Sequence, residues 1–494
     1  MQMRCSEKNM IANQNTRVGK TNNLKRICII TLVAYVICVV AFYFLAGEQL
    51  HYRDSRGNIG MSVANAATTE LTENTVVEQQ FSAKIQILEQ LSVQWGCFNR
   101  VNHGTVSVQL VNLSTQEVLL NQALQADIIS EGQITTFDLP ALENCYGVPL
   151  ALRISSSDGI SGDSLTPMMK TDGKLENSQL YINGQPVDGV CAFSVTGRDY
   201  IWTGLHYWEF VFGAGAVIVA ILGWMLYCEK KGRKNVLVNA IIAMQRYRFL
   251  IRQLVSRDFK TKYKRSVLGV FWSFLNPLLT MIVQYIVFSN LFRFDIPYYP
   301  VYLLCGIIIF NYFSEACGMA LTSILGNASL ITKVYVPKYI YPLTRILSSM
   351  VNLLISIIPL LIVVVFSGLL PTKAYLLVPY VLVCLAVFCL GLGMLLAAAM
   401  VFFRDIQFLW GVLTMIWMYL TPIFYPESIL PENVAWVLDI NPLYYFVSFM
   451  RSCIINGISP EPMVYVQCAL FALVTLFIGA YVFKKSQDKF ILYL

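Results

Sequence analysis

Apolar runs long enough to cross a bilayer crowd the C-terminal half of this 494-residue chain, at 269–293, 300–324, 346–369, 376–402, 407–425 and 463–483; two more stand apart, at 27–46 and 207–228. Each crossing needs about 20 mostly apolar residues, because backbone N–H and C=O groups find no water in hydrocarbon and must bond within their own segment. Eight such runs predict an α-helical polytopic membrane protein. The chain is 56% hydrophobic and only 13% charged, well below the charge of a soluble globular chain.

The net charge of +7 invites a nucleic-acid reading, which its distribution removes. Between Glu229 and Arg265 lie twelve Lys or Arg against two acids, Glu229 and Asp258, flanking the membrane runs as the positive-inside bias expects. The N-terminal tail (1–26, with Arg4, Lys8, Arg17, Lys20, Lys25 and Arg26) and the C-terminal tail (485–494, just after Lys484) follow the same rule. Both ends are therefore expected in the cytoplasm, with 229–268 a cytoplasmic basic segment, and no nucleic acid is expected as a partner. The run 27–46 reads as a retained signal anchor, since it is longer than a cleaved signal's apolar region and Ala64 to Ala66 lie too far downstream for its cleavage site.

Residues 47–75, rich in Gly, Asn, Ser, Ala and Thr, read as a linker. From 76 to 205 short alternating apolar runs appear, such as 106–111 and 150–154, separated by turn signals including Asp158 with Gly159 and Asn183 with Gly184. This predicts an inserted all-β extracytoplasmic sandwich of jelly-roll type. Such folds often stack sugars on aromatics. Trp95, Asn99, Arg100 and Tyr146 are the candidates for glycan contact, beside a purely structural role for these aromatics. Of thirteen cysteines only Cys97, Cys145 and Cys191 fall here; one disulfide among them is open, and spacing does not decide it. With no CxxC or Cys/His spacing and three histidines, no metal site is expected. Gly19, Lys20 and Thr21 mimic the end of a phosphate-binding P-loop, but the glycine required five positions earlier is Gln14. The chain is expected to be no enzyme by itself and to bind no cofactor.

The stretch 256–279 is the most specific. Cations lead into Leu268 and Gly269, Trp272 suits the head-group level, and Asn276 with Pro277 kinks the helix that follows. Upstream, 236–256 mixes Ile241, Ile242, Leu250 and Leu254 with Arg246, Arg248 and Arg252, as an amphipathic interfacial helix does. Residues 327–342 hold two prolines and two lysines; Gly391 and Gly393 permit close helix packing; proline breaks recur at 419–426 and 441–444. This region, about 236–494, resembles the permeases of the ABC-2 type that export O-antigen, capsule or teichoic acid polysaccharides on lipid carriers.

The resemblance implies a six-helix core (269–484), a homodimer enclosing the path, and two copies of a separate ABC ATPase that holds ATP and Mg. It places Lys260, Lys264, Arg265 and Gly269 where a lipid phosphate would enter. It gives Arg246, Leu330, Lys333, Val334, Tyr335 and Pro337 to ATPase coupling, and Pro422, Tyr425, Pro426, Asn441 and Pro442 to an external re-entrant region. Tyr285, Phe288 and Phe292 share a helical stripe and are pore-lining candidates, with packing as the alternative reading. Glu315 joins them because an intramembrane carboxylate is costly and seldom idle. Two rivals stay open: an ABC-2 exporter of drugs or small lipids, and a glycan-binding membrane sensor or scaffold that transports nothing.

Overall fold

The computed structural model describes residues 2–57, 64–173, 175, 177–231, 236–264, 266–290, 292, 296–334, 336–429 and 432–493. It forms two compact units, one helical (1–50 with 206–494) and one of β structure (51–205).

The chain begins with α1 (Gln2–Ala46). The β unit then contributes β1 (Tyr52–Gly57), β2 (Ala66–Ala67), β3 (Val76–Ser82), β4 (Ile87–Gly96), β5 (Thr105–Asn112), β6 (Val118–Gln125), β7 (Ile134–Leu142), β8 (Pro149–Ser156), β9 (Thr166–Lys170), β10 (Gln179–Ile182), β11 (Gln185–Val187), β12 (Val190–Cys191) and β13 (Phe193–Tyr200), closed by the short α2 (Trp202–Leu205). Every pairing is antiparallel. One sheet runs β1-β13-β4-β9-β12, with β2 on β9 and β7 on β4; the other runs β11-β10-β3-β8-β5-β6. Period-2 alternation builds the core: β5 turns Val106, Val108 and Leu110 inward, β13 turns Phe193 and Val195, and the Phe81 and Phe193 rings meet at 4.9 Å.

One expectation changes here, and one question that spacing left open is answered. The stretch read as a linker carries β1, which pairs with β13 from Tyr52↔Tyr200 to Gly57↔Val195, and β2. A ladder is made of backbone groups, so a polar segment with no apolar period can still fill a sheet edge. Cys97, Cys145 and Cys191 are free, buried thiols. Burial raises all three above the ordinary 9.0, Cys191 to about 12, which keeps them protonated and unreactive.

The β unit also carries an acid-sensitive tie. The Glu70 carboxylate accepts the Gly162 N–H at 2.8 Å and pairs with Arg100, and these contacts hold it below its ordinary 4.5. A folded value below the unfolded one means that the unfolded chain takes the proton first. The stability contributed is therefore complete above about pH 4.5 and is lost as pH falls through the depressed folded value. Protection factors of the β-unit amides, corrected for the intrinsic slowing of exchange in acid, should fall over that interval, and Glu70→Gln should flatten the dependence.

The helical unit continues with α3 (Tyr207–Lys230), α4 (Val236–Arg246), α5 (Arg248–Tyr263), α6 (Phe271–Asn290), α7 (Tyr299–Leu321), α8 (Ala328–Ile331), α9 (Ile340–Phe366), α10 (Val378–Phe402), α11 (Ile406–Leu420), α12 (Glu432–Ile440), α13 (Pro442–Ile454), α14 (Pro462–Ser486) and α15 (Phe490–Tyr493). Among the described residues, seven helical segments are long and apolar enough to cross a membrane. The expected span 407–425 is instead the 15-residue α11, about 22 Å long by helical rise. It stops at Thr421, whose φ of −100° and ψ of 127° are the extended form that a following proline imposes. The interfacial helix expected over 236–256 is two helices, α4 and α5, parted at Tyr247. In the second, Leu250, Ile251 and Leu254 pack on a cluster with Ile324, Ile331, Val336, Ile340 and Tyr341.

α7 and α10 are the most enclosed spans. The close packing expected of Gly391 is found against α14, where a Cβ on Gly479 would fall 1.9 Å from the Gly391 carbonyl oxygen.

Candidate functional site

The end of α5 with α6, α7 and α9 encloses a polar cavity of about 360 Å³. Its walls within a largely apolar helix bundle hold Lys262 and Tyr263 from α5, Ser273 and Asn276 from α6, Asn311 and Glu315 from α7, and Asn352 and Ser356 from α9, with Trp272 beside them. Glu315 is the hub. Its Oε2 accepts from Lys262 Nζ at 2.8 Å, and its Oε1 accepts from Asn352 Nδ2 at 2.6 Å and Ser349 Oγ at 3.4 Å. Tyr263 donates its hydroxyl proton to Asn352 Oδ1 at 2.9 Å and touches the Ser273 hydroxyl. Hydroxyl, amide and ammonium groups together suit sugar hydroxyls and a phosphate.

Of the residues expected at the entrance, Lys260 and Lys264 are exposed, and Arg265 lies outside the described residues. Gly269 takes φ +52°, the left-handed form that favours glycine, and donates its N–H to Ser266 Oγ at 3.1 Å. The cation that enters the cavity is Lys262, a residue the sequence did not distinguish from its neighbours. Three cations alternate over 260–264, and only the helix phase aims one of them at Glu315.

A second cavity, of about 660 Å³, shares Lys262 and Glu315 and adds Arg257, Asp258 and Arg345. Asp258 is buried. Its Oδ1 accepts from Arg257 Nη2 at 2.9 Å, and its Oδ2 lies 3.1 Å from Arg345 Nη1. Arg257 Nη2 also donates to the buried Asn327 Oδ1 at 3.2 Å. α5 and α9 are thus joined by charge, and α5 and the segment leading into α8 by a hydrogen bond. In α8 and the segment after it, Lys333 and Val334 are exposed, Leu330 and Pro337 are half-buried, and Tyr335 lies outside the described residues. Ile331 and Val336 anchor it in the core, and Lys338 Nζ donates to the Gln487 carbonyl at 2.5 Å. Arg246 is exposed at the end of α4.

The proline break after α11 is held by side chains, as non-helical backbone among apolar helices requires. Tyr299 donates to the Phe424 carbonyl at 2.6 Å and Tyr302 to that of Tyr425 at 2.9 Å. Asn441 caps α13 through Leu443 N–H and donates to Thr421 Oγ1 at 2.9 Å; the Tyr425 hydroxyl reaches the Tyr419 carbonyl at 2.7 Å. Pro422 is buried, Pro426 is half-buried, and Pro442 occupies the first turn of α13. Arg451, which sequence reading missed, is buried here. It donates to the Pro422 and Ile423 carbonyls at 2.8 and 3.1 Å and lies 3.4 Å from the centre of the Tyr302 ring. A lone cation among the apolar residues of 443–455 was the available signal.

The aromatic stripe divides. Phe288 is a packing residue, stacked on Phe424 at 5.5 Å and on Phe292 at 5.2 Å, while Tyr285 and Phe292 are exposed.

The glycan candidates of the β unit do not form one site. Trp95 is 0% exposed at the centre of the sandwich, because it falls on the inward phase of β4. Arg100 is committed to Glu70. Tyr146 is exposed, but its neighbours Cys145 and Gly147 bond to Gln86 and Ala83 just before β4, whereas Asn99 follows the far end of that strand, about 30 Å away by strand rise.

Residues 250–455 match the family model of the ABC-2 type transporter. The chain is similar to the O-antigen export system permease protein RfbA of Myxococcus xanthus, 28% identical over 256 residues that make up 51% of this chain and 98% of that protein. It is similar to RfbA of Klebsiella pneumoniae, 28% over 243 residues (49% and 93%), and to the polysialic acid transport protein KpsM of Escherichia coli, 23% over 241 residues (48% and 93%). Each alignment takes in nearly all of the relative and about half of this chain. Together with the span pattern and the proline breaks, they establish a multi-pass membrane protein whose residues 250–455 are an ABC-2 type transporter domain.

Proposed function

We propose that this chain is the permease subunit of an ATP-driven exporter that moves a lipid-linked cell-surface polysaccharide across the cytoplasmic membrane. The observation that carries the reading is the polar cavity around Lys262, Glu315 and Asn352, at the end of a basic interfacial helix. Cations at the inner leaflet attract a carrier phosphate, and the amides and hydroxyls behind them suit sugars. The names of relatives, which speak of O-antigen export, polysialic acid transport and capsule polysaccharide export, support the same substrate class.

In this reading two copies enclose the path, and two copies of a separate ABC ATPase bind ATP and Mg. The exposed Lys333 and Val334, with Arg246, meet a groove on that subunit. The basic tails lie in the cytoplasm, and the β unit stands outside, where it meets the emerging glycan. The test is affinity purification in mild detergent from the native host. A stoichiometric ATPase should co-purify, and Val334→Glu should reduce its recovery and its permease-stimulated hydrolysis at least about tenfold, since a charge placed in an apolar contact must be desolvated. A dimeric permease that carries no ATPase overturns the proposal and favours a sensor or scaffold.

A further inference from the structure

We infer that Glu315 is a built-in competitor for the anion-binding ammonium of the cavity, a latch that an incoming phosphate must displace from Lys262. The inference rests on reading the cavity as the site of a carrier phosphate. The two carboxylate oxygens of Glu315 have different partners. Oε1 is held by Asn352 at 2.6 Å and Ser349 at 3.4 Å, both on α9. Oε2 is held by Lys262, at the C-terminal turn of α5. The Lys262 side chain is 42% exposed, and that of Glu315 is 28% exposed.

When Lys262 turns away, Glu315 therefore keeps two donors and is not left as a bare charge. An ion pair this exposed holds weakly, and Lys262 carries its charge on a four-carbon stem able to swing within the cavity mouth. A phosphate offers the ammonium several charged acceptors in place of one. The exchange moves the Lys262 charge from a protein carboxylate to the ligand while α7 and α9 stay joined through Asn352. The latch discriminates by charge: an uncharged glycan or lipid has nothing with which to replace Glu315.

The experiment is calorimetric titration of the full-length protein in detergent with farnesyl diphosphate, and in parallel with inorganic pyrophosphate. Glu315→Gln should tighten farnesyl diphosphate binding by up to about fivefold, Glu315→Asp should tighten it less, and Lys262→Met should weaken it at least about tenfold. In the Lys262→Met background, Glu315→Gln should change little, because no ammonium remains to release. Equal tightening in both backgrounds would mean simple repulsion by Glu315 and would overturn the latch. Wild-type binding that Glu315→Gln leaves unchanged or weakens also overturns it, while the carrier-phosphate reading stands. No binding of either probe to any variant overturns both. Equal binding of the two probes, with the tightening intact, supports the latch and overturns the lipid carrier.

Discussion

Alanine at Gly479 should leave little folded protein in the membrane. Its Cβ would lie 1.9 Å from the Gly391 carbonyl oxygen and 2.7 Å from the carbonyl carbon, and both neighbours are backbone, which cannot rotate aside. From the other side, a Cβ on Gly391 would meet Leu476 N and the Thr475 carbonyl at 2.4 Å. Relief requires α10 and α14 to move apart at this crossing. Overpacking of a core ordinarily destabilises by about 1–3 kcal/mol, and a backbone-to-backbone clash falls at or beyond the top of that range. Thermal unfolding in detergent would show it as a large drop in midpoint and in recovered monodisperse protein. Gly223 of α3 is the matched control. Nothing lies within 4 Å of a Cβ there, so Gly223→Ala should be neutral or stabilising by up to about 1 kcal/mol. A wild-type melting curve for Gly479→Ala would show that these helices do not approach this closely.

Asp258→Asn should be nearly as damaging, for an electrostatic reason. The substitution keeps the shape but leaves Arg345, whose side chain is 20% exposed, beside Arg257 with no counter-charge between them. Removing one partner of a buried ion pair costs about 3–5 kcal/mol, and the exposure of Arg257 puts this case near the lower end. The double variant Asp258→Leu with Arg345→Met should recover most of the loss, because well-packed apolar groups replace a buried pair at little net cost. In a permease coupled to an ATPase, the same double variant should still transport poorly, because Arg257 has lost the acid that fixes it toward Asn327 ahead of α8. Stability that is unchanged in Asp258→Asn would refute this account of the charge network.

Most of the architecture was legible because it follows from local pattern. Twenty-residue apolar runs announce helices and period-2 alternation announced the sandwich, whereas the span expected over 407–425 ran past Pro422, where α11 in fact stops. What escaped was decided across elements. Lys262 finds Glu315, and Asp258 finds Arg345, only because α5 lies against α7 and α9 with a particular helical phase. β1 has no pattern of its own, since its place depends on the free backbone edge of β13. Trp95 stayed open between a sugar platform and a core residue because an aromatic in a β domain suits either, and the strand phase decides for the core. Arg451 was the readable omission, a single cation in an apolar stretch that supplies the donors the Pro422 break lacks.

The β unit enters through β1 and leaves through β13, neighbours in one sheet with Tyr52 opposite Tyr200. Its two chain ends are therefore one strand spacing apart, about 5 Å. A segment whose ends emerge side by side can be gained, lost or exchanged as a cassette, because a linker of two or three residues closes the gap that it leaves. The β unit can thus be excised at Tyr52 and Tyr200 and the flanking chain rejoined without a long bridge.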